Sequence, residues 1–182
     1  MEKNLFAVPQ EVDKDEIKSI RKRLNLTQKQ FAELVNVSSK TVERWETSEK
    51  AITGPIVVLI KALNEYPQLE EELRIPAKRY PIRLWYMHKK KVCTIIDVDE
   101  RNRKVLVYNY TRDYMFRAFG RKEKPDFKEY EEFLESRCFP RTRDKMKLIL
   151  KDLDLPFYEP MLIIEKTQGK MAEDDFWIRI ER

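Results

Sequence analysis

Two helix-start patterns, separated by a single break, lie between residues 27 and 47 of this 182-residue chain. Thr27 and Gln30 form a T-x-x-Q capping box, in which each side chain bonds a backbone N–H group that the helix leaves free. The apolar residues that follow on one helical face are Phe31, Leu34 and Val35. Asn36 tolerates the left-handed backbone that ends a helix, and Ser38 can cap another helix that runs to about Thr47. The pattern predicts two short helices joined by a tight turn.

Apolar spacing predicts one further helix on each side of this pair. The first begins near Asp13 and buries a stripe made of Ile17, Ile20 and Leu24. The last runs from about Pro55 to Tyr66 and buries Ile56, Leu59, Ile60 and Leu63. Residues 1–12 are predicted to be an N-terminal arm, because Pro9 disfavours an earlier helix. Residues 13–72 are therefore predicted to form an all-α domain.

The pattern changes in the second half of the chain. Residues 73–81 hold two prolines and three basic residues, and this composition predicts a linker. Runs rich in β-branched and aromatic residues then predict an antiparallel meander with strands at Arg83–Met87, Val92–Val98 and Lys104–Tyr110. Helical spacing returns at Asp126–Arg137, Arg141–Leu153 and Pro160–Lys166, and a closing strand is predicted at Phe176–Ile180. The fold class is therefore α+β, with a mixed domain at 82–182.

Composition excludes several classes of function. Three glycines in the whole chain are too few for glycine-rich phosphate loops. One histidine and two distant cysteines predict neither a metal site nor a cofactor. The chain holds no apolar run of membrane-spanning length and no secretion signal, so we expect a cytoplasmic protein without a membrane partner. The net charge of +5 favours a polyanionic partner, though only mildly.

The helix pair resembles a known family. Residues 26–32 read L-T-Q-x-x-F-A and residues 37–46 read V-S-x-x-T-V-x-x-W-E, a long signature similar to that of XRE (Cro/C1-type) helix-turn-helix regulators. The resemblance covers residues 13–66 and departs from the family at Asn36, where glycine is usual. The segment from Thr53 to the A-L-N-E-Y-P-Q-L run is similar to antitoxin-type members of HigA or HipB kind. The resemblance implies a DNA-binding transcriptional regulator.

The predicted DNA-binding face follows from both the residues and the resemblance. An α-helix fits the major groove, and the exposed residues of its first turns reach base edges. On the third helix, Lys40 and Arg44 point away from the inward residues Val42 and Trp45. The resemblance implies that matching positions face DNA. The candidate DNA-binding residues are Gln28, Lys29, Ser38, Ser39, Lys40, Thr41 and Arg44.

Alternatives stay open for the basic residues outside this face. The basic run Arg21–Arg23, which includes Lys22, is either a set of phosphate contacts or a solvated helix end. In the second half, a basic cluster surrounds Cys138, and its candidate anion- or partner-binding residues are Arg137, Arg141 and Arg143. A thiol near arginines is a possible nucleophile, but solvated arginines beside a buried thiol are the commoner arrangement. We expect that the chain is not an enzyme.

The C-terminal half carries a fainter resemblance, in layout more than in motif. Small proteins associated with HipA-like kinases have segments similar to the runs F-R-A-F-G, F-L-E-S-R-C-F-P-R-T-R and D-D-F-W-I-R-I.

Our main hypothesis is an autorepressing, antitoxin-type repressor that reads a palindromic operator as a homodimer, because two half-sites require two copies. The alternative is a protein-binding antitoxin or adaptor that neutralises a HipA-like kinase toxin through residues 82–182.

Overall fold

The computed structural model describes residues 6–182, which fall into two compact units. The first unit ends at Ile75 and the second begins at Pro76. Residues 1–5 of the predicted N-terminal arm lie outside the described residues. None of the helices in residues 6–182 has both the length and the apolar character needed to cross a membrane.

The first unit is a helical bundle with one very small sheet. Its helices are α1 (Lys14–Arg23), α2 (Gln28–Leu34), α3 (Ser39–Thr47), α4 (Pro55–Glu65) and α5 (Gln68–Leu73). Two-residue strands, β1 (Glu11–Val12) and β2 (Ile52–Thr53), pair antiparallel. The sequence predicts α1 to α4 but neither α5 nor this sheet. The predicted arm therefore ends in a strand, because Val12 is buried opposite Ile52.

Local hydrogen bonds explain where the helices of the first unit begin. Asp13 and Thr27 are the N-caps of α1 and α2, and each forms a capping box with the residue three positions later. Ser38 caps α3 by accepting a hydrogen bond from the N–H of Thr41. Asn36 has a φ of 56°, so it takes the left-handed conformation that the turn between α2 and α3 requires. The capped pair predicted from sequence is present.

The core of the first unit brings α1, α2, α3 and α4 together. Its fully buried side chains come from all four helices and include Ile17, Phe31, Val42 and Leu63. Trp45 packs against this core but remains partly exposed. The burial of a large apolar side chain such as Phe31 stabilises the fold by about 1.5–3 kcal/mol. Because α2 and α3 bury side chains in the same core, this energy holds the two helices in one relative orientation.

The second unit is built on a four-stranded antiparallel sheet. Its strands are β3 (Ile82–His88), β4 (Lys91–Asp99), β5 (Lys104–Asn109) and β6 (Phe176–Glu181), in the order β5-β4-β3-β6. Leu84 pairs with Ile96 on β4 and with Ile180 on β6. The predicted meander and the closing strand are thus one sheet, in which β6 returns beside β3.

Three helices complete the second unit: α6 (Phe127–Ser136), α7 (Met146–Asp152) and α8 (Pro160–Thr167). One face of the sheet shares a core with α6 and α8 that includes Tyr86, Tyr130 and Ile164, whereas α7 has no buried residue. The prediction that the middle helix starts at Arg141 is wrong. Lys145 has a φ of 58°, and a left-handed residue cannot continue an α-helix, so α7 begins at Met146.

The other face of the sheet holds a buried ion pair between Arg83 and Asp97. The side chain of Asp97 is 0% exposed, and Arg83 Nε and one terminal nitrogen donate to its two oxygens at 2.6 and 2.9 Å. Arg83 also donates to the carbonyl of Pro76, and the N–H of Arg79 donates to Asp97, both at 2.8 Å. The residues from Pro76, predicted as part of a linker at 73–81, are therefore bonded to the sheet.

Candidate nucleic-acid interface

The turn between α2 and α3 sets how α3 is presented. The N–H of Val37 donates to the carbonyl of Ala32 at 2.9 Å, which closes the turn after Asn36. Val42 is fully buried, so one side of α3 is pressed into the core of the unit. The opposite side of α3 leaves Ser39, Lys40, Glu43 and Arg44 exposed. A helix held on one face and exposed on the other suits insertion into a groove.

The start of α3 is organised by two hydroxyl groups. Ser38 Oγ accepts the N–H of Thr41 at 3.2 Å and lies 2.9 Å from Thr41 Oγ1. These two side chains are therefore engaged with each other. The free N–H groups of a helix's first turn favour an anion, which gives α3 a place to meet a phosphate.

Gln28, at the first position of α2, is held by a network that the sequence did not reveal. Its amide Nε2 donates to Glu46 Oε2 at 3.0 Å, and Arg21 NH2 donates to the same oxygen at 2.9 Å. Arg21 also bonds the other carboxylate oxygen and donates to the carbonyl of Leu26. In this structure Glu46 therefore takes the hydrogen bond of the Gln28 amide.

The same network joins three helices. Arg21 lies on α1, Gln28 on α2 and Glu46 on α3, and the Glu46 side chain is 4% exposed. The hydrogen bond from Arg21 holds the pKa of Glu46 below its ordinary value, so the carboxylate stays charged. One clue was available in the sequence: Glu46 lies four residues after the inward residue Val42. A carboxylate at an inward position needs a buried cation as its partner.

The three cations of the predicted face are free to meet a ligand. Lys29, Lys40 and Arg44 are exposed, and within residues 6–182 none of them has an ion-pair partner. Arg21 and Arg23 are different, because their guanidinium groups bond the protein. Arg23 donates to Asn64 Oδ1 and to the carbonyl of Leu63 at 2.8 and 2.9 Å. Of the residues at the end of α1, Arg21 is partly buried and paired with Glu46, whereas Lys22 and Arg23 are exposed.

The structure does not unite the arginines of the C-terminal cluster. Arg137 is 7% exposed and bonds both oxygens of Asp174 as well as the carbonyl of Gly169. Arg141 instead pairs with Glu135, while Arg143 is exposed in the turn before α7. The charge of Arg137 is thereby compensated by Asp174, which leaves Arg141 and Arg143 as the exposed arginines of the predicted anion- or partner-binding site.

Cys138 is buried beside Arg137. Its thiol donates to the carbonyl of Leu134 at 3.3 Å, and the residue is 5% exposed. Burial raises the pKa of the Cys138 thiol to about 12, so the thiolate required of a nucleophile is scarce near neutral pH. This removes the argument for cysteine-based catalysis at this cluster. Among residues 6–182, no group of three or more His, Cys, Asp or Glu side chains is placed to hold a metal ion.

Comparisons with known proteins converge on the first unit. Residues 17–63 match the family model described as "Helix-turn-helix". Antitoxin HigA-2 of Vibrio cholerae serotype O1 is 37% identical over 57 residues, which are 31% of this chain and 55% of HigA-2. The chain thus spans about half the length of this curated relative. The two units of the structure confirm the α+β assignment. The matches confirm the resemblance drawn from the capped helix pair: the first unit of this chain contains a helix-turn-helix domain that is similar to part of an antitoxin.

Proposed function

We propose that this protein is a sequence-specific DNA-binding transcriptional regulator. The observation that carries the proposal is the presentation of α3, whose buried side includes Val42 and whose exposed side includes Lys40 and Arg44. The helix-turn-helix match over residues 17–63 supports it. The proposal assigns no enzymatic activity to this chain.

In the proposed complex α3 lies in the major groove. Arg44 reads a guanine edge with its two-pronged guanidinium group, and Ser39 approaches the bases closely because its side chain is short. Lys29 and Lys40 contact phosphates, which position the domain without reading sequence. Ser38 and Thr41 hold the first turn of α3 in place. Gln28, at the start of α2, contacts the DNA backbone, and its hydrogen bond to Glu46 fixes the direction of the Gln28 amide.

The regulator acts on its own promoter as a homodimer in this proposal. A single α3 reads only a few base pairs, and two-fold related copies read half-sites about one helical turn apart. A palindromic operator follows from that symmetry. Similarity to a protein named as an antitoxin supports an autorepressing antitoxin, a type of regulator that would control its own synthesis.

Selection of bound duplexes from a random DNA pool tests the proposal. The wild-type chain is compared with a Gln28→Ala/Arg44→Ala variant, and Arg101→Ala is the control because Arg101 is an exposed arginine in the β4–β5 turn. We expect the wild type and the control to enrich one palindromic motif and the double variant to lose it. If the folded wild-type protein enriches no motif, the proposal is wrong.

A second candidate function is capture of a protein partner by the second unit. Leu148 on α7 and Phe157 just after it are 56% and 57% exposed, which leaves apolar area for an interface. Similarity to an antitoxin suggests a toxin as the partner, and a HipA-like kinase is the hypothesis taken from the sequence. Co-expression with the product of the neighbouring gene tests this role. A stable one-to-one complex that Leu148→Ser/Phe157→Ser abolishes would favour it, and separate elution of the two proteins would contradict it.

A further inference from the structure

The positive charge of the chain is divided unequally between the two units. Residues 1–75 contain 12 Lys and Arg against 13 Asp and Glu, a net charge of −1. Residues 76–182 contain 25 Lys and Arg against 19 Asp and Glu, a net charge of +6. The entire basic excess therefore lies outside the helix-turn-helix domain. Contacts to phosphates supply most of the affinity of proteins for DNA, so this division matters for the proposed function.

The helix-turn-helix domain brings few cations to a phosphate backbone. Its proposed DNA face carries Lys29, Lys40 and Arg44, and the exposed carboxylate of Glu43 lies on the same helix as two of them. The charge of Arg21 is compensated inside the domain by Glu46, while Arg23 bonds only a side-chain amide and a carbonyl. A unit with a net charge of −1 does not attract a polyanion at long range.

The second unit gathers cations at one end of its sheet, which we call the basic end. The basic end comprises the β3–β4 turn and the loop after β5 as far as Arg121. These segments contain one acidic residue, Asp113, and the cations Lys89, Lys90, Lys91, Arg112, Arg117 and Arg121. Two contacts hold these segments together. The rings of His88 and Phe116 are 4.8 Å apart at 86°, and the N–H of Ala118 donates to Thr94 Oγ1 at 3.1 Å.

The charges of the basic end are only partly compensated. Lys89 pairs with Asp175 at 3.1 Å, and both side chains are more than half exposed. Lys90, Lys91 and Arg121 are exposed, and no ion pair to them occurs within the part of the chain that the structure describes. Arg121 instead lies 5.6 Å from the centroid of the Tyr114 ring.

Arg117 is fixed on the same aromatic ring. Its guanidinium carbon is 4.7 Å from the Tyr114 centroid, and its Nε donates to the carbonyl of Thr111 at 2.8 Å. This arrangement orders a cation without neutralising it, because a ring face and a carbonyl carry no net charge. An ordered cation loses less side-chain entropy when it binds an anion. The loop is therefore preorganised for an anionic partner.

We propose that the basic end binds the phosphate backbone of the same DNA duplex whose sequence α3 reads. This inference rests on the proposed function and assigns a task to the second unit: sequence-independent affinity. An acidic protein surface is the competing partner, and it would use the neighbouring Met115, which is 84% exposed, as an apolar anchor. A phosphate gains nothing from contact with an apolar side chain. Replacing Met115 should therefore weaken binding to an acidic protein but not binding to DNA.

The experiment measures how the affinity of the full chain for duplex DNA depends on salt. The test variant is Lys90→Gln/Lys91→Gln/Arg121→Gln, and the matched control is Arg143→Gln/Lys147→Gln/Lys151→Gln, which removes three exposed cations around α7. Fluorescence anisotropy gives the slope of log K against log salt on a selected duplex and on a scrambled one. Each lost phosphate contact reduces the slope by about 0.9, so three contacts reduce it by roughly 2.7.

We expect the slope of log K against log salt to be shallower in the test variant by this amount, on both the selected and the scrambled duplex. The ratio of wild-type to variant affinity should then shrink about 40-fold between 50 and 200 mM salt, while the preference for the selected duplex is kept. The α7 control and Met115→Ser should behave as the wild type does. Equal slope losses in the test variant and the α7 control would show that only total charge matters, and they would overturn the inference.

The outcomes separate this inference from the proposed function. If the test variant has the wild-type slope while Arg44→Ala abolishes the preference for the selected duplex, α3 reads DNA and the basic end does not bind it. If Arg44→Ala changes nothing while the test variant loses slope, the basic end binds DNA and the assignment of α3 is wrong. Loss of affinity in Met115→Ser on both duplexes would contradict a contact made through phosphates.

Discussion

Replacement of Glu46 by glutamine probes the network that joins α1, α2 and α3. Glu46→Gln keeps the shape of the side chain and removes its charge. Arg21, whose side chain is only 14% exposed, then has no anionic partner. The glutamine amide also offers one acceptor oxygen where the carboxylate offered two, although three hydrogen bonds arrive from Arg21 and Gln28.

The expected cost is about 3 kcal/mol in the free energy of unfolding. Removing one partner of a buried pair typically costs about 3–5 kcal/mol. We take the lower end, because Arg21 keeps some exposure and its 3.0 Å hydrogen bond to the carbonyl of Leu26. Urea unfolding followed by tryptophan fluorescence measures this cost, with Trp45 as the reporter of the first unit and Trp85 and Trp177 as reporters of the second.

A double variant decides whether the loss comes from the pair. Arg21→Met/Glu46→Leu removes both charges, so it should lose less stability than the sum of the losses in Arg21→Met and Glu46→Leu, and the difference is the coupling energy of the pair. Losses of the two single variants that simply add in the double variant would refute the reasoning.

Acid adds an independent check on the same pair. The pKa of Glu46 is lowered in the folded protein, so its stabilising effect is complete above the ordinary carboxyl pKa and is lost as the pH falls through the folded value. The stability difference between the wild type and Glu46→Gln should therefore shrink in acid. A difference that is constant from neutral pH down to acid unfolding would contradict a charged, paired Glu46.

Three further predictions test the rest of the account. Arg137→Met should lower the free energy of unfolding by about 1–3 kcal/mol, because it leaves the buried carbonyl of Gly169 without its donor and Asp174 without its partner, whereas Arg143→Met should leave the urea midpoint unchanged; equal effects would show that Arg137 is not buried and paired. Asn36→Val should cost roughly 1–2 kcal/mol and Asn36→Gly should cost nothing, since φ is 56° at this position; thermal unfolding of both variants checks this, and a tolerated valine would contradict the left-handed turn. Iodoacetamide should modify Cys138 slowly in the folded protein and rapidly in urea, as mass spectrometry would show, and fast labelling of the native protein would contradict a buried thiol whose pKa is raised to about 12.

The helices of the first unit were predictable because each start is set by hydrogen bonds between residues that are close in sequence. Asp13, Thr27 and Ser38 bond N–H groups three residues away, and apolar spacing marks the buried faces. Where a helix start depends on tertiary packing, the prediction failed. Lys145 takes a left-handed conformation that nothing in its neighbours indicates, so the start of α7 was misplaced.

The candidate site was predictable only in its exposed residues. Lys40 and Arg44 follow from the helical period of α3 once Val42 is taken as buried. The bonds of Gln28 could not be predicted, because Arg21 and Glu46 lie 25 residues apart and meet only when three helices pack. For the same reason, the chain's buried Arg83–Asp97 pair was not seen in the sequence.

The most direct test of the central claim is a base-substitution scan on the selected duplex. Affinities of the wild type and of Arg44→Ala are measured for every single-base change in one half-site. We predict that Arg44→Ala loses about 1–3 kcal/mol on the original duplex and becomes indifferent to substitution at one base pair, while its preferences elsewhere are unchanged. An Arg44→Ala variant with wild-type affinity and wild-type preference at every position would contradict the claim that α3 reads DNA.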